Sequence, residues 1–104
     1  MVFTVSTSLQ VYPDPHLRQR IAQQCGAEDL FYAERRMQAL CEQQQIEFVP
    51  LASSLQALAD ANAAEYLHGF RNTQMGIGHW SAAGHRAAAT LLAEYLARTS
   101  GINP

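Results

Sequence analysis

The sequence lacks several features that would assign it to a specialised class of protein. It has no run of about eighteen apolar residues, so no membrane span is predicted. Its first residues lack the basic stretch of a secretory signal peptide. Its two cysteines, Cys25 and Cys41, form no CxxC pair, which predicts free, mostly buried thiols rather than a disulfide. From these absences we expect a cytoplasmic protein with no membrane partner.

Charge is also scarce. Seven basic and nine acidic residues give a net charge of -2, with no block of like charge. Nucleic acid is therefore not expected as a partner. The following arginines are scattered and predicted to lie on solvated faces: Arg18, Arg20, Arg35, Arg36 and Arg71. No cofactor is implied, and neither the cysteine spacing nor the six-residue interval between His79 and His85 favours a metal site.

What the sequence does contain is enough apolar residues, 48% of 104, for the core of one small domain. Runs of β-branched and aromatic residues predict strands over 2–7 and 46–50. Helical periodicity predicts helices over 15–25, 33–44, 54–66 and 82–98. Local signals set their ends: Asp14 with Pro15, Gly26, Ser53 or Ser54, Ser81, and finally Gly101 with Pro104.

This order of elements predicts an α/β fold with parallel strands. The buried helix faces are expected to include Met37, Leu40 and Cys41 in one case, and Ala88, Leu91, Leu92, Tyr95 and Leu96 in the other. Two strands make a marginal sheet, because three or more are usually needed for independent stability. We therefore expect the sheet to continue in a further N-terminal segment, or in a second copy that forms a homo-oligomer through exposed strand edges.

The most informative stretch is the glycine-rich loop before the last helix, Gly76-Ile77-Gly78-His79-Trp80-Ser81. A histidine on such a loop can gain and lose a proton near neutral pH. The alternative is an ordinary loop histidine beside an aromatic ring. Trp80 is predicted to form a core or cleft wall, with stacking on a substrate as the alternative. His85, in the first turn of the helix, is expected to be neutral and to pack locally.

The segment from Gly78 to Arg86, followed by an Ala/Leu-rich helix, resembles the final block of the SGNH (GDSL-type) hydrolases, in which a histidine just ahead of the C-terminal helix is the catalytic base. Residues 6–15 and 67–72 also resemble the second half of such domains. The resemblance implies a partial flavodoxin-like three-layer fold, a small-molecule ester substrate and a catalytic role for His79. Gly76 stands where the family has its aspartate, and the Gly-Asp-Ser nucleophile and oxyanion-hole blocks are absent. Residues 1–104 would then be a single partial α/β domain that is inactive in isolation.

Five serines lack the surroundings of a nucleophile. None of them lies in a nucleophile elbow or a Gly-Asp-Ser context: Ser6, Ser8, Ser53, Ser54 and Ser81. His79 could reach Ser6 or Ser8 at the carboxyl edge of the sheet. Two functions stay open. The chain is either the base-supplying segment of an SGNH-like esterase or acyl-transfer enzyme, or a non-catalytic α/β association module or truncated gene product. A coding sequence that extends upstream through a Gly-Asp-Ser motif would favour the first.

Overall fold

The computed structural model describes residues 1–62 and 65–101. Within these ranges the chain is a mixed α/β structure of two parallel strands and four helices, as predicted. The elements in chain order are β1 (Val2–Phe3), α1 (Pro15–Gln24), α2 (Tyr32–Gln43), β2 (Phe48–Val49), α3 (Leu51–Ala61) and α4 (Ala82–Ser100). None of these helices is long and apolar enough to cross a membrane.

Both strands are shorter than predicted. Val2 pairs with Phe48 and Phe3 with Val49, and the ladder ends there. The ladder ends there because Pro50, the residue that follows β2, has no N–H to donate, and α3 begins immediately after it. Residues 4–7 of the predicted first strand therefore have no strand partner within the described ranges.

The predicted helix ends at α1 and α4 are confirmed. Asp14 caps α1, since its carboxylate accepts hydrogen bonds from the N–H groups of His16 and Leu17 at 3.0 and 3.2 Å. Gly26 follows the helix with a left-handed φ of 67°. Ser81 caps α4 by accepting from the N–H of Gly84 at 3.1 Å, and Gly101 ends it with a φ of 65°. The predicted stop at Pro104 lies outside the described residues.

The predicted start of α3 at Ser53 or Ser54 is wrong. The helix begins at Leu51, and its first N–H groups are capped by a residue from another helix. The buried carboxylate of Glu34 accepts from the N–H of Ala52 at 2.9 Å and from that of Ser53 at 3.2 Å. A carboxylate at a helix N-terminus also interacts favourably with the helix dipole. The predicted helical end near residue 66 is wrong as well, because α3 ends at Ala61; residues 63–64 lie outside the described ranges.

The core lies between α3 and α4, which make the most extensive helix–helix contact. Its buried members are Val11, Leu51, Leu55, Ala59, Leu67 and Ala88. On α2 only part of the prediction holds, since Cys41 is buried whereas Met37 and Leu40 are exposed. That helix packs on β2 along one side and leaves the rest of its surface to solvent. Leu96 near the end of α4 is also exposed, contrary to expectation.

Two further predictions about single residues are corrected. Cys25 is exposed rather than buried, although both cysteines are free as expected. Arg18 is buried rather than solvated. Its guanidinium forms an ion pair with Asp60 at 2.6 Å and also donates to the carbonyl of Tyr12. These partners satisfy a charge that would otherwise be costly to bury.

Candidate functional site

His79 lies in the loop between α3 and α4, and the backbone around it is fixed by pairing. Trp80 forms an isolated antiparallel bridge with His68. The N–H of Gly69 donates to the carbonyl of His79 at 2.9 Å. Because these contacts hold both the candidate base and its successor, the loop presents His79 from a defined backbone position.

Two glycines shape the approach to His79. Gly76 and Gly78 have φ angles of 86° and 92°, in the left-handed region that favours glycine. Gly76 is also confined, because a Cβ atom there would lie 2.6 Å from a ring carbon of Tyr12 and 3.0 Å from one of Tyr66. If the chain follows the SGNH pattern that its sequence resembles, Gly76 stands at the position of that pattern's aspartate. An aspartate introduced here would therefore have to displace two aromatic rings, so the substitution would not simply restore a triad.

A buried cluster of three side chains joins this loop to the end of β1. The Oγ of Ser6 lies 3.2 Å from Nε2 of His68, and the indole N–H of Trp80 donates to the same Oγ at 2.8 Å. The Nδ1 atom of His68 lies 2.6 Å from the carbonyl oxygen of Gly78. A carbonyl can only accept, so Nδ1 carries the proton and Nε2 accepts from the Ser6 hydroxyl.

This Ser6–His68–Trp80 cluster has the connectivity of a serine–histidine pair but not its accessibility. Ser6 and His68 are each only 4% exposed, so a substrate carbonyl has no path to the hydroxyl. Every polar atom of the three side chains has a partner, which is the arrangement expected of a structural clamp. The expectation that His79 could reach Ser6 is wrong, because His68 occupies that position. Sequence reasoning missed the role of His68.

The cluster ties the loop that carries His79 to the segment that follows β1. Ser6 follows β1 at the carboxyl end of the parallel strands, and the loop is tied to it. In open α/β sheets this is the edge at which binding sites are built. The side chain of His79 is exposed, and within residues 1–62 and 65–101 no hydrogen bond to its ring is found. Its imidazole is thus free to meet a group from outside these residues.

The other histidine of the motif has a packing role. The ring of His85 lies edge-on to that of Trp80, with the ring centres 5.5 Å apart. This agrees with the predicted local packing, and Trp80 itself packs against the core as expected of a wall residue. Among the described residues there is no group of three or more His, Cys, Asp or Glu side chains that could hold a metal ion.

Burial changes the proton affinity of His68. Desolvation lowers the pKa of its imidazole below the ordinary value of 6.5, and the nearby His79 acts in the same direction. The hydrogen bond to Gly78 opposes both in part. The folded state therefore binds this proton less readily than the unfolded state. Stability from the neutral clamp is complete above pH 6.5 and is lost as the pH falls toward the lowered pKa.

We expect the free energy of unfolding to decrease as the pH is lowered from about 7.5 to about 5, with at most about 1.4 kcal/mol per pH unit from this one group. Urea titrations across this range would measure it. His68→Gln should be less stable at neutral pH but should lose that part of the slope. His16→Gln, which changes an exposed histidine on α1, is the matched control and should keep the slope. A wild-type slope in His68→Gln would contradict the assignment.

No family model, no curated protein and no solved structure matches the chain. Its function must therefore be inferred from its own residues and their geometry.

Proposed function

We propose that this chain is the C-terminal segment of an SGNH-like ester hydrolase or acyl-transfer domain, with a flavodoxin-like sheet, and that His79 is its general base. One observation carries the proposal. The exposed His79 immediately precedes Trp80, on a loop that the His68–Trp80 bridge and the buried cluster tie to Ser6, just after β1. A general base needs this combination of access and fixed position.

The proposal requires the nucleophile to come from outside the described residues. Ser6 is buried and engaged by two partners, and Ser81 is the cap of α4. The hydroxyls of Ser53 and Ser54 donate to the carbonyl of Pro50 at 3.2 and 2.8 Å. These four serines are thus committed to structural hydrogen bonds. The Gly-Asp-Ser serine of the family is the group that would approach His79.

The chemistry of the assembled site follows from the two free positions on the His79 ring. One ring nitrogen accepts the proton of the serine hydroxyl as its oxygen attacks the ester carbonyl. The same nitrogen then returns the proton to the departing alcohol. The other nitrogen needs an acceptor that fixes the tautomer. Since Gly76 carries no carboxylate, that acceptor is a backbone carbonyl, a water or a carboxylate from the rest of the domain.

The isolated 104-residue chain should show no more than trace hydrolysis of p-nitrophenyl acetate. A base without a nucleophile and without oxyanion donors gives little rate enhancement, because such groups act as a unit. Spectrophotometric release of p-nitrophenol at neutral pH would measure it, with His79→Ala as the background control. Robust turnover that a serine reagent abolishes would contradict the proposal and would direct attention to Ser6, Ser8 and Ser53.

A second function, association without catalysis, is favoured by exposed apolar residues in and just after β1. Phe3, the last residue of β1, is 40% exposed, and Val5, two residues beyond the strand, is 62% exposed. One edge of β1 pairs with β2, and the other has no partner among the described residues. Exposed edges of this kind recruit further strands.

Sedimentation velocity should then detect a concentration-dependent dimer or higher oligomer of the isolated chain. Val5→Lys places a charge just beyond β1, along which a recruited strand would extend, and should shift the population toward monomer. His16→Gln, far from the edge in sequence, should leave the distribution unchanged. A clean wild-type monomer at high concentration would contradict self-association.

A further inference from the structure

An apolar groove runs beside the candidate base. It lies between the segment that follows β1, helix α1 and the loop that carries His79, and has a volume of about 450 Å³. Its apolar wall is formed by Leu9, Tyr12, Leu17, Ile21, Gly76 and Ile77. We call it the Ile21–Ile77 groove. A volume of this size falls within the range of small-molecule sites in proteins.

We propose that the Ile21–Ile77 groove binds the aliphatic chain of the ester substrate, an inference that rests on the proposed role of His79. The groove adjoins the reacting position because Gly76 and Ile77 immediately precede Gly78 and His79 in the same loop. Its lining includes Ser8 and Leu9 from the segment that follows β1, and in α/β proteins substrates bind at the carboxyl ends of the strands. A chain lying in it would place its ester group near the imidazole.

The chemistry of the lining fits an uncharged chain. No charged side chain lines the groove, and its polar members are Ser8 and Gln74 together with the Tyr12 hydroxyl. Another groove that touches the same loop, of about 490 Å³, includes Glu65 and Arg71 in its lining. A larger one of about 800 Å³ lies along α1 and the segment 26–31 that follows it, and includes no residue of the His79 loop. Only the Ile21–Ile77 groove among these three is both next to the loop and free of charge.

The floor of the groove is held by aromatic packing. The ring of Tyr12 lies edge-on to that of Tyr66, with the ring centres 5.7 Å apart. Gly76 is pressed against both rings, since a Cβ atom there would overlap them. Gly76 therefore packs closely at one position of the lining, whereas Ile77 beside it is 54% exposed. Ile77 is thus the exposed apolar side chain that an aliphatic chain in the groove would cover.

The test is a titration of the 104-residue chain with acetate, butyrate, hexanoate and octanoate below their micelle concentrations, followed through ¹³C-labelled isoleucine and leucine methyl groups by NMR. Each methylene that enters the groove should tighten binding about two- to fourfold, until the groove is full. The Ile21 and Ile77 methyls should shift together. The corresponding 1-alkanols form a second arm, and tighter binding of the acid or of the alcohol tells whether the acyl or the alkyl chain occupies the groove.

A matched pair of variants makes the test specific. Ile77→Ser should remove the chain-length dependence, whereas Leu40→Ser should preserve it. Leu40 is 52% exposed on α2 and lines a different surface, so the two substitutions remove similar apolar area. Because both sites are exposed, neither variant should unfold the chain.

Equal shifts at Leu40 and Ile77, or no dependence on chain length, would mean general adsorption to apolar surface and would overturn the proposal. The titration needs no turnover, so its failure is distinct from a failure of His79 as the base. If the groove bound chains as expected while His79 proved dispensable for hydrolysis, the groove would stand as a binding site and only the catalytic assignment would fall.

Discussion

Replacing Gly84 by alanine should destabilise the fold, although alanine is the better helix former. Gly84 lies buried in the first turn of α4, where a Cβ atom would sit 2.1 Å from the carbonyl oxygen of Leu67. That oxygen is held in place, because it accepts from the N–H of Ser81 at 2.9 Å. Helix propensity favours alanine by about 1 kcal/mol, whereas forced overlap typically costs about 1–3 kcal/mol and occasionally more. We expect a net loss of up to about 2 kcal/mol in the free energy of unfolding, measured by urea denaturation.

Gly26→Ala is the matched control. Gly26 has a left-handed φ of 67° but nothing within 4 Å of a built Cβ atom, so only backbone strain of about 1–2 kcal/mol applies. Amide hydrogen exchange separates the two variants further. Protection of the Gly69 and Ser81 amides should fall in Gly84→Ala and persist in Gly26→Ala. An unchanged or raised urea midpoint in Gly84→Ala would show that helix propensity dominates and that the close contact with Leu67 is relieved at little cost.

In the proposed enzyme, where a Gly-Asp-Ser segment supplies the nucleophile, replacing His79 by alanine should remove most turnover. General-base catalysis contributes about 10²–10⁴ in rate, so kcat for p-nitrophenyl acetate should drop by about that factor. The fold should remain intact, because the side chain is exposed and only its backbone carbonyl is used, by Gly69. Circular dichroism and the urea midpoint would verify this alongside the steady-state kinetics.

His85→Ala is the control for that experiment, since it removes a neighbouring exposed imidazole of the same motif. Loss of its edge-on contact with Trp80 should cost a little stability and leave kcat within a few-fold of wild type. If His85→Ala abolished turnover and His79→Ala kept it, the assignment of the base would be wrong.

Local sequence rules predicted the parts of the fold that depend on a few neighbouring residues. The start of α1 at Asp14 and Pro15 and the cap of α4 at Ser81 were both correct, because a cap acts on N–H groups two or three residues away. The order of strands and helices was also predicted correctly, because the spacing of apolar residues along the sequence differs between strands and helices. The parallel pairing of the strands followed from that order.

The errors arose where a distant residue decides a local feature. The start of α3 depends on Glu34, which lies 18 residues before the N–H of Ala52 that it caps. Periodicity alone could not tell that Met37 and Leu40 would face solvent, because no described element packs over that side of α2. The length of the first strand was predicted wrongly for a related reason. β1 extends only as far as β2 offers N–H and carbonyl groups with which it can pair.

The candidate site shows the same division. His79 stands out in the sequence as a candidate because glycines, tryptophan and a helix cap are its immediate neighbours, and its role stays a prediction. The Ser6–His68–Trp80 cluster could not, because 62 and 74 residues separate Ser6 from its two partners. One signal was present in the sequence. Ser6 lies at the end of a predicted strand and His68 lies in a predicted loop, and in α/β folds strand ends and loops meet at the carboxyl edge of the sheet.

The central claim is that this chain supplies the base and that the nucleophile lies elsewhere. Labelling with a fluorophosphonate tests it most directly, because the reagent forms a covalent bond to an activated serine oxygen with loss of fluoride. The native protein that contains this chain would be labelled, digested and mapped by mass spectrometry. We predict a modified serine in a Gly-Asp-Ser segment outside residues 1–104, with labelling slowed about 10²-fold or more by His79→Ala. Modification of Ser6, Ser8 or Ser53, or labelling that His79→Ala leaves unchanged, would contradict the account.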